Sequence, residues 1–128
     1  MSFNWHECLD IAIFLRDNAD EIDQITQESA YRSAVNRAYF ASFCYARNFA
    51  EDKFGFTPKG NAGDHGAVKN EFKRRAFGDI PPILDALRQW RNKCDYQDTV
   101  DNISKISQDA IDGAKKIFNR LNYTQPKN

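Results

Sequence analysis

An all-α domain is the fold class to expect, and three observations point to it. Apolar residues recur at three- to four-residue spacing in five stretches, the rhythm of a helix with one buried face. No stretch alternates with the two-residue period of a strand. Glycine and proline gather between Gly55 and Gly63 and again between Gly78 and Pro82, where they punctuate helices without interrupting them. At 128 residues the chain has length for one core. A four- to five-helix up-and-down antiparallel bundle follows, one domain over 1–128 with its core at about 4–121 and a flexible tail over 122–128.

The first helix is expected from Asn4 to Asn18, with Trp5, Cys8, Leu9, Ala12, Ile13 and Leu15 on its apolar face. Asp20, Glu21 and Asp23 then form a short acidic connection. The second helix runs from Thr26 or Glu28 to Phe49; about 22 residues would span ~33 Å. Its Tyr31, Val35, Ala38, Tyr39, Ser42, Ala46 and Phe49 make one stripe, and the small residues beside it invite a close neighbour. It is the expected centre of the core. The third is expected from Asp64, as N-cap, to Phe77, with Gly78 as the stop. Pro81 and Pro82 open the fourth, which turns Ile83, Leu84, Leu87, Trp90 and Cys94 inward. The last begins at Asp101 or Asn102 and ends at Leu121, with Ile103, Ile106, Ala110, Ile111, Ala114, Ile117 and Phe118 at helical spacing.

Composition excludes several classes. Lys and Arg total 18, as do Asp and Glu, so the chain is neither a generally basic nucleic-acid coat nor an acidic tail protein. The charge is nonetheless uneven: residues 1 to 28 carry a net −6 and the remainder +6. The densest basic group, Lys69, Lys73, Arg74 and Arg75, is a solvated helix face or a contact for phosphate or an acidic partner. Lys105, Lys115, Lys116 and Arg120 share the last helix with Asp109 and Asp112, which favours plain solvation. Apolar stretches such as Ile11 to Leu15 are far short of the roughly 20 residues of a membrane span. No basic residue precedes Arg16, so no secretory signal is expected. Cys8, Cys44 and Cys94 are odd in number and far apart, which suits buried free thiols in a reducing, cytoplasmic setting and offers no zinc pattern.

Three short constellations could carry chemistry. Arg37-Ala38-Tyr39-Phe40-Ala41 places a cation beside a core-facing Tyr, where it reaches water or is held by a carboxylate. Asp64-His65-Gly66 opens a helix, whose free N–H groups attract anions; the plainer alternative is a capping Asp beside a surface His. Arg88, Arg91 and Asp95 fall at i, i+3 and i+7, on one face, followed by Tyr96. There the plainer alternative is a structural ion pair with Tyr96 packed over it.

In that order, Arg37-Ala38-Tyr39-Phe40-Ala41-Ser42-Phe43, His65-Gly66 leading to Phe72, and Arg88 with Arg91-Asn92-Lys93-Cys94-Asp95-Tyr96 resemble the HEPN superfamily. The similarity is to its small prokaryotic branch and covers about residues 4 to 121. It implies a helical bundle, commonly a homodimer, often the companion of a nucleotidyltransferase-like chain in toxin–antitoxin-like pairs, with no cofactor. Many members are metal-independent ribonucleases that carry an Arg, a polar residue, and a His about five positions after the Arg. This chain keeps Arg91-Asn92 but has Tyr96 at the His position. Tyr, with a pKa of about 10, is a poor proton acceptor near neutrality.

The resemblance therefore implies a non-catalytic module. Arg37, Arg88 and Arg91 would hold nucleotide or RNA phosphate with Asn92, His65 would add a donor, and Asp95 with Tyr96 would orient Arg91. One alternative is a divergent ribonuclease using Arg91 and His65. Another is a purely structural dimerisation module.

Overall fold

The computed structural model describes residues 3–22 and 26–123. Asp23 of the acidic connection and residues 124–128 of the expected tail lie outside them. Five helices follow in order: α1 (Trp5–Asp17), α2 (Gln27–Phe54), α3 (Asp64–Lys73), α4 (Ile80–Tyr96) and α5 (Ile103–Leu121). Among the described residues there is no strand, and no helix is long and apolar enough to cross a membrane.

The helices alternate in direction. Cys8 reaches the Arg37 carbonyl while Arg16 lies against Tyr31, so α1 and α2 are antiparallel. Asn36 meets Asp95 and Tyr39 meets Arg91, so α4 also opposes α2. Asp79, at the start of α4, pairs with Arg120 near the end of α5, and Ile83 and Leu87 lie against Gly113, so α5 opposes α4. The result is an up-and-down bundle of four long helices, with the short α3 inserted in the α2–α4 connection. α2 packs on all four of the others, and its Ala34, Ala38, Ala41, Ala46 and Ala50 are fully or almost fully buried. Small side chains there let neighbouring backbones approach.

Two helix ends differ from expectation. α2 continues five residues past Phe49, which makes it about 42 Å long. Phe54 secures the extra turn by meeting Phe49 and Phe72 edge-on at 5.5 and 5.4 Å. It stops at Gly55, whose φ of +70° closes the helix in the left-handed conformation. α3 ends earlier than expected, at Lys73. Ala76 turns left-handed (φ +62°) and the Phe77 N–H donates back to the Phe72 carbonyl at 3.2 Å. That reversal lays Phe77 against Phe72 and Phe49, each at 5.7 Å. Packing of one aromatic ring outweighs another turn of exposed helix.

Asp64 does not cap α3; Gly63 occupies that position. The Asp64 carboxylate instead accepts the N–H groups of Lys59 and Gly60 at 3.0 and 2.9 Å, pinning the preceding loop. Those bonds, Lys59 first, hold its carboxyl below the ordinary 3.8.

The three cysteines are buried and unbridged. Burial pushes Cys44 and Cys94 up to about 11, far from a reactive thiolate.

Candidate phosphate site between α2, α3 and α4

His65 is the least expected member of this site, because its ring is buried, with only 4% of the residue exposed. As the second residue of α3 it points under the helix toward α2 and α4. There it stacks on Phe43 at 5.9 Å. Its Nδ1 lies 2.9 Å from the Tyr39 hydroxyl and its Nε2 lies 3.3 Å from Asp85 Oδ1. The expectation of a surface His is corrected by this packing.

The two contacts select the tautomer. Lys69 Nζ stands 2.7 Å from Asp85 Oδ1, and that bond holds the Asp85 carboxyl below its ordinary 3.8. An ionised carboxylate only accepts, so His65 Nε2 carries the proton and donates it to Asp85. Nδ1 is then the acceptor, and Tyr39 donates its hydroxyl hydrogen to it. Desolvation depresses His65 below 6.5 despite Asp85, with Arg88 and Lys69 acting in the same direction as burial. The ring is therefore neutral at pH 7, with both nitrogens engaged. Burial likewise lifts the Tyr39 phenol above 10, although Arg88 and Arg91 pull against it.

Tyr39 is the hub. Arg91 places its guanidinium 5.7 Å from the Tyr39 ring centre and 5.2 Å from that of Phe40. Asp95 accepts from Arg91 Nε at 2.8 Å and from Asn36 Nδ2 at 3.3 Å, so the guanidinium is held over the two rings. Asn92 adds a long contact to Arg91 Nη1 at 3.5 Å. Arg91 Nη2 has no hydrogen-bond partner among the described residues. Arg88, one turn earlier on α4, has neither a hydrogen bond nor an ion pair among them, yet its charge acts on both His65 and Tyr39. An unpaired guanidinium beside a half-engaged one is an arrangement that accepts a phosphate oxygen.

The structure thus brings His65 and Arg91 to Tyr39, with Asp95 and Asn92 on Arg91 and Arg88 one turn before it on α4. One expected member lies beside this cluster and one stands apart. Arg37 is exposed, without a carboxylate within 4 Å among the described residues, and lines a groove of about 530 Å³ that Asn36 and Asp95 share with Ile11 and Leu15. Tyr96 is 75% exposed and makes no hydrogen bond among the described residues, so it neither orients Arg91 nor packs over the ion pair. α4 ends there, and the ring projects past the last turn. Asp85, Lys69 and Asn36 belong to the network although the sequence gives no motif for them.

The basic group of Lys69, Lys73, Arg74 and Arg75 is half neutralised. Lys69 serves Asp85, Arg74 and Arg75 share Glu71, and Lys73 has no ion pair among the described residues. Arg75 also lies over Phe54 at 4.6 Å. No group of three or more potential metal ligands occurs among the described residues.

Comparison of the chain with protein-family models, with curated proteins and with solved structures found no match.

Proposed function

We propose that the chain is a non-catalytic module of HEPN type that binds the phosphate of RNA or a nucleotide between α2, α3 and α4. One observation carries the proposal: Arg88, without a hydrogen bond or ion pair among the described residues, stands one turn before Arg91 on α4, and Arg91 lies over a Tyr39 bonded to His65, which Asp85 holds in turn. Arg88 supplies an uncommitted fork. Arg91 supplies Nη2 from a guanidinium that Asp95 has already oriented, which lowers the entropy lost on binding. Phe40, partly buried beneath Arg91, adds an apolar face.

His65 acts in this reading as a strut and not as a proton carrier. Its ring is buried and both nitrogens are occupied, whereas a general base needs a free nitrogen within reach of the 2′-hydroxyl. That favours binding over ribonuclease chemistry. The HEPN reading also brings a second copy of the chain and a nucleotidyltransferase-like companion as partners.

The test is equilibrium binding of a labelled single-stranded RNA 12-mer, and of ATP in competition, to wild type, Arg88→Ala and Arg91→Ala. Each variant should bind RNA more weakly, with a log–log salt slope shallower by about 0.7 per lost phosphate contact. Arg88→Ala should melt within about 0.5 kcal/mol of wild type, since it breaks no bond. A folded Arg88→Ala/Arg91→Ala protein that binds RNA as tightly as wild type overturns the proposal.

A further inference from the structure

A second surface lies on α1, outside the phosphate site. Among the described residues four large apolar side chains are exposed, and three of them belong to this helix or its lead-in: Phe3 (50%), Ile11 (48%) and Phe14 (59%). Ile11 and Phe14 share one face with Glu7, Asp10 and Asp17, since the five fall at i, i+3, i+4, i+7 and i+10 counted from Glu7. All five are exposed. None of the three carboxylates has a cationic partner within 4 Å among the described residues, whereas Glu28, Glu51, Glu71, Asp79, Asp85, Asp95 and Asp109 do. The one Arg or Lys of α1, Arg16, turns the other way and donates to Ser107 Oγ at 3.1 Å.

We infer that this face docks a basic amphipathic helix of a partner protein. Charge complementarity selects that occupant. An apolar row ringed by unpaired carboxylates lacks only cations, and a helix with Leu-like anchors flanked by Lys or Arg supplies both. A second copy packed with its α1 antiparallel across a two-fold axis would set carboxylate against carboxylate, because that arrangement lays the acidic flank on itself. An anionic lipid surface is repelled for the same reason. The charge is also one-sided. Asp10 and Asp17 lie on the flank away from α2, whereas beyond Ile11 and Leu15 the surface falls into the groove lined by Arg37. The incoming helix is therefore oriented with its basic edge toward Asp10 and Asp17, and its apolar edge over Ile11.

The probe is a designed 18-residue amphipathic peptide with Leu on one face and Lys and Arg on the other, compared with the same peptide bearing Glu for Lys and Arg. Fluorescence anisotropy should show saturable binding of the basic peptide and none of the acidic one. Phe14→Ser should weaken it about tenfold, the loss of one aromatic anchor. Asp10→Asn/Asp17→Asn should weaken it less but abolish most of its salt dependence. Both changes are on the surface and leave the fold intact, which circular dichroism checks. Three outcomes would overturn the inference: equal binding of the acidic peptide, unchanged binding by Phe14→Ser, or a homodimer that Phe14→Ser dissociates.

Discussion

The Tyr39 hydroxyl donates to Nδ1 of His65 across 2.9 Å, joining α2 to the first turn of α3 through two residues 26 positions apart. The bond has a consequence for how the site is maintained. A short helix of ten residues is marginal alone. α3 is held by what it buries, namely Val68, Phe72 and this His. The same ring, through Asp85, ties α3 to α4. Arg88 and Arg91 therefore stand on a helix whose spacing from α2 is set in part by His65.

Tyr39→Phe leaves the buried His65 Nδ1 without a donor and should cost about 1–2 kcal/mol. His65→Leu strands the Tyr39 hydroxyl and loses the Phe43 stack, so about 2–3 kcal/mol is expected. The double variant should cost less than the two together, by about 1 kcal/mol or more, because no buried polar group is then left alone. Urea unfolding of the four proteins measures the cycle. Additive losses would mean that the bond contributes nothing.

Acid should weaken the fold through the same ring. Burial keeps His65 below its ordinary 6.5, so the unfolded chain takes up its proton at a higher pH than the folded one. The stabilisation is complete above pH 6.5 and declines as pH falls from there toward the folded value. Asp85 contributes in a separate, lower window: its carboxyl is held below 3.8, first by Lys69, and its contribution is lost only in stronger acid. The urea midpoint should fall between about pH 7.5 and 5.5 in wild type and fall less in His65→Leu. Parallel declines would assign the effect to other groups.

Arg32 closes the C-terminal end of α4 from α2. It donates to the backbone carbonyls of Cys94, Gln97 and Asp98 at 2.8, 2.7 and 3.0 Å. Cys94 and Gln97 carry acceptors that a helix end leaves unpaired, and Asp98 follows just past the cap. Arg32→Lys replaces a planar fork by a point donor that cannot serve all three, and about 1–2 kcal/mol should be lost. Amide exchange should quicken in residues 94–100 and remain unchanged in α1. Uniform exchange rates would reject the capping role.

Tyr45 does the corresponding work at the other end of the bundle. Its hydroxyl donates to the Tyr123 carbonyl at 2.7 Å and accepts the Tyr123 N–H, while its ring stacks on Phe118 at 4.1 Å. Tyr45→Phe keeps the stack and strands two buried backbone groups, which should cost about 1–3 kcal/mol. A change under about 0.5 kcal/mol in thermal unfolding would show that water replaces the hydroxyl.

The periodicity of apolar residues was enough to place all five helices and most of their inward faces, and the Pro81-Pro82 pair marked the start of α4 correctly. Such signals are readable because one helical turn is a local object: which residues share a face depends only on their spacing. The Arg91–Asp95 pair was legible for the same reason, four residues apart on one helix. What had no local signature was the partner of each polar side chain across the bundle. No motif marks Asp85 or Asn36, Lys69 reads as part of a basic patch, and His65 as a surface donor. Their roles follow from how far α3 is rotated over α2 and α4, a matter of side-chain packing between distant segments. Spacing along the chain decides which face a residue occupies; only the packing of one face on another decides what it meets there.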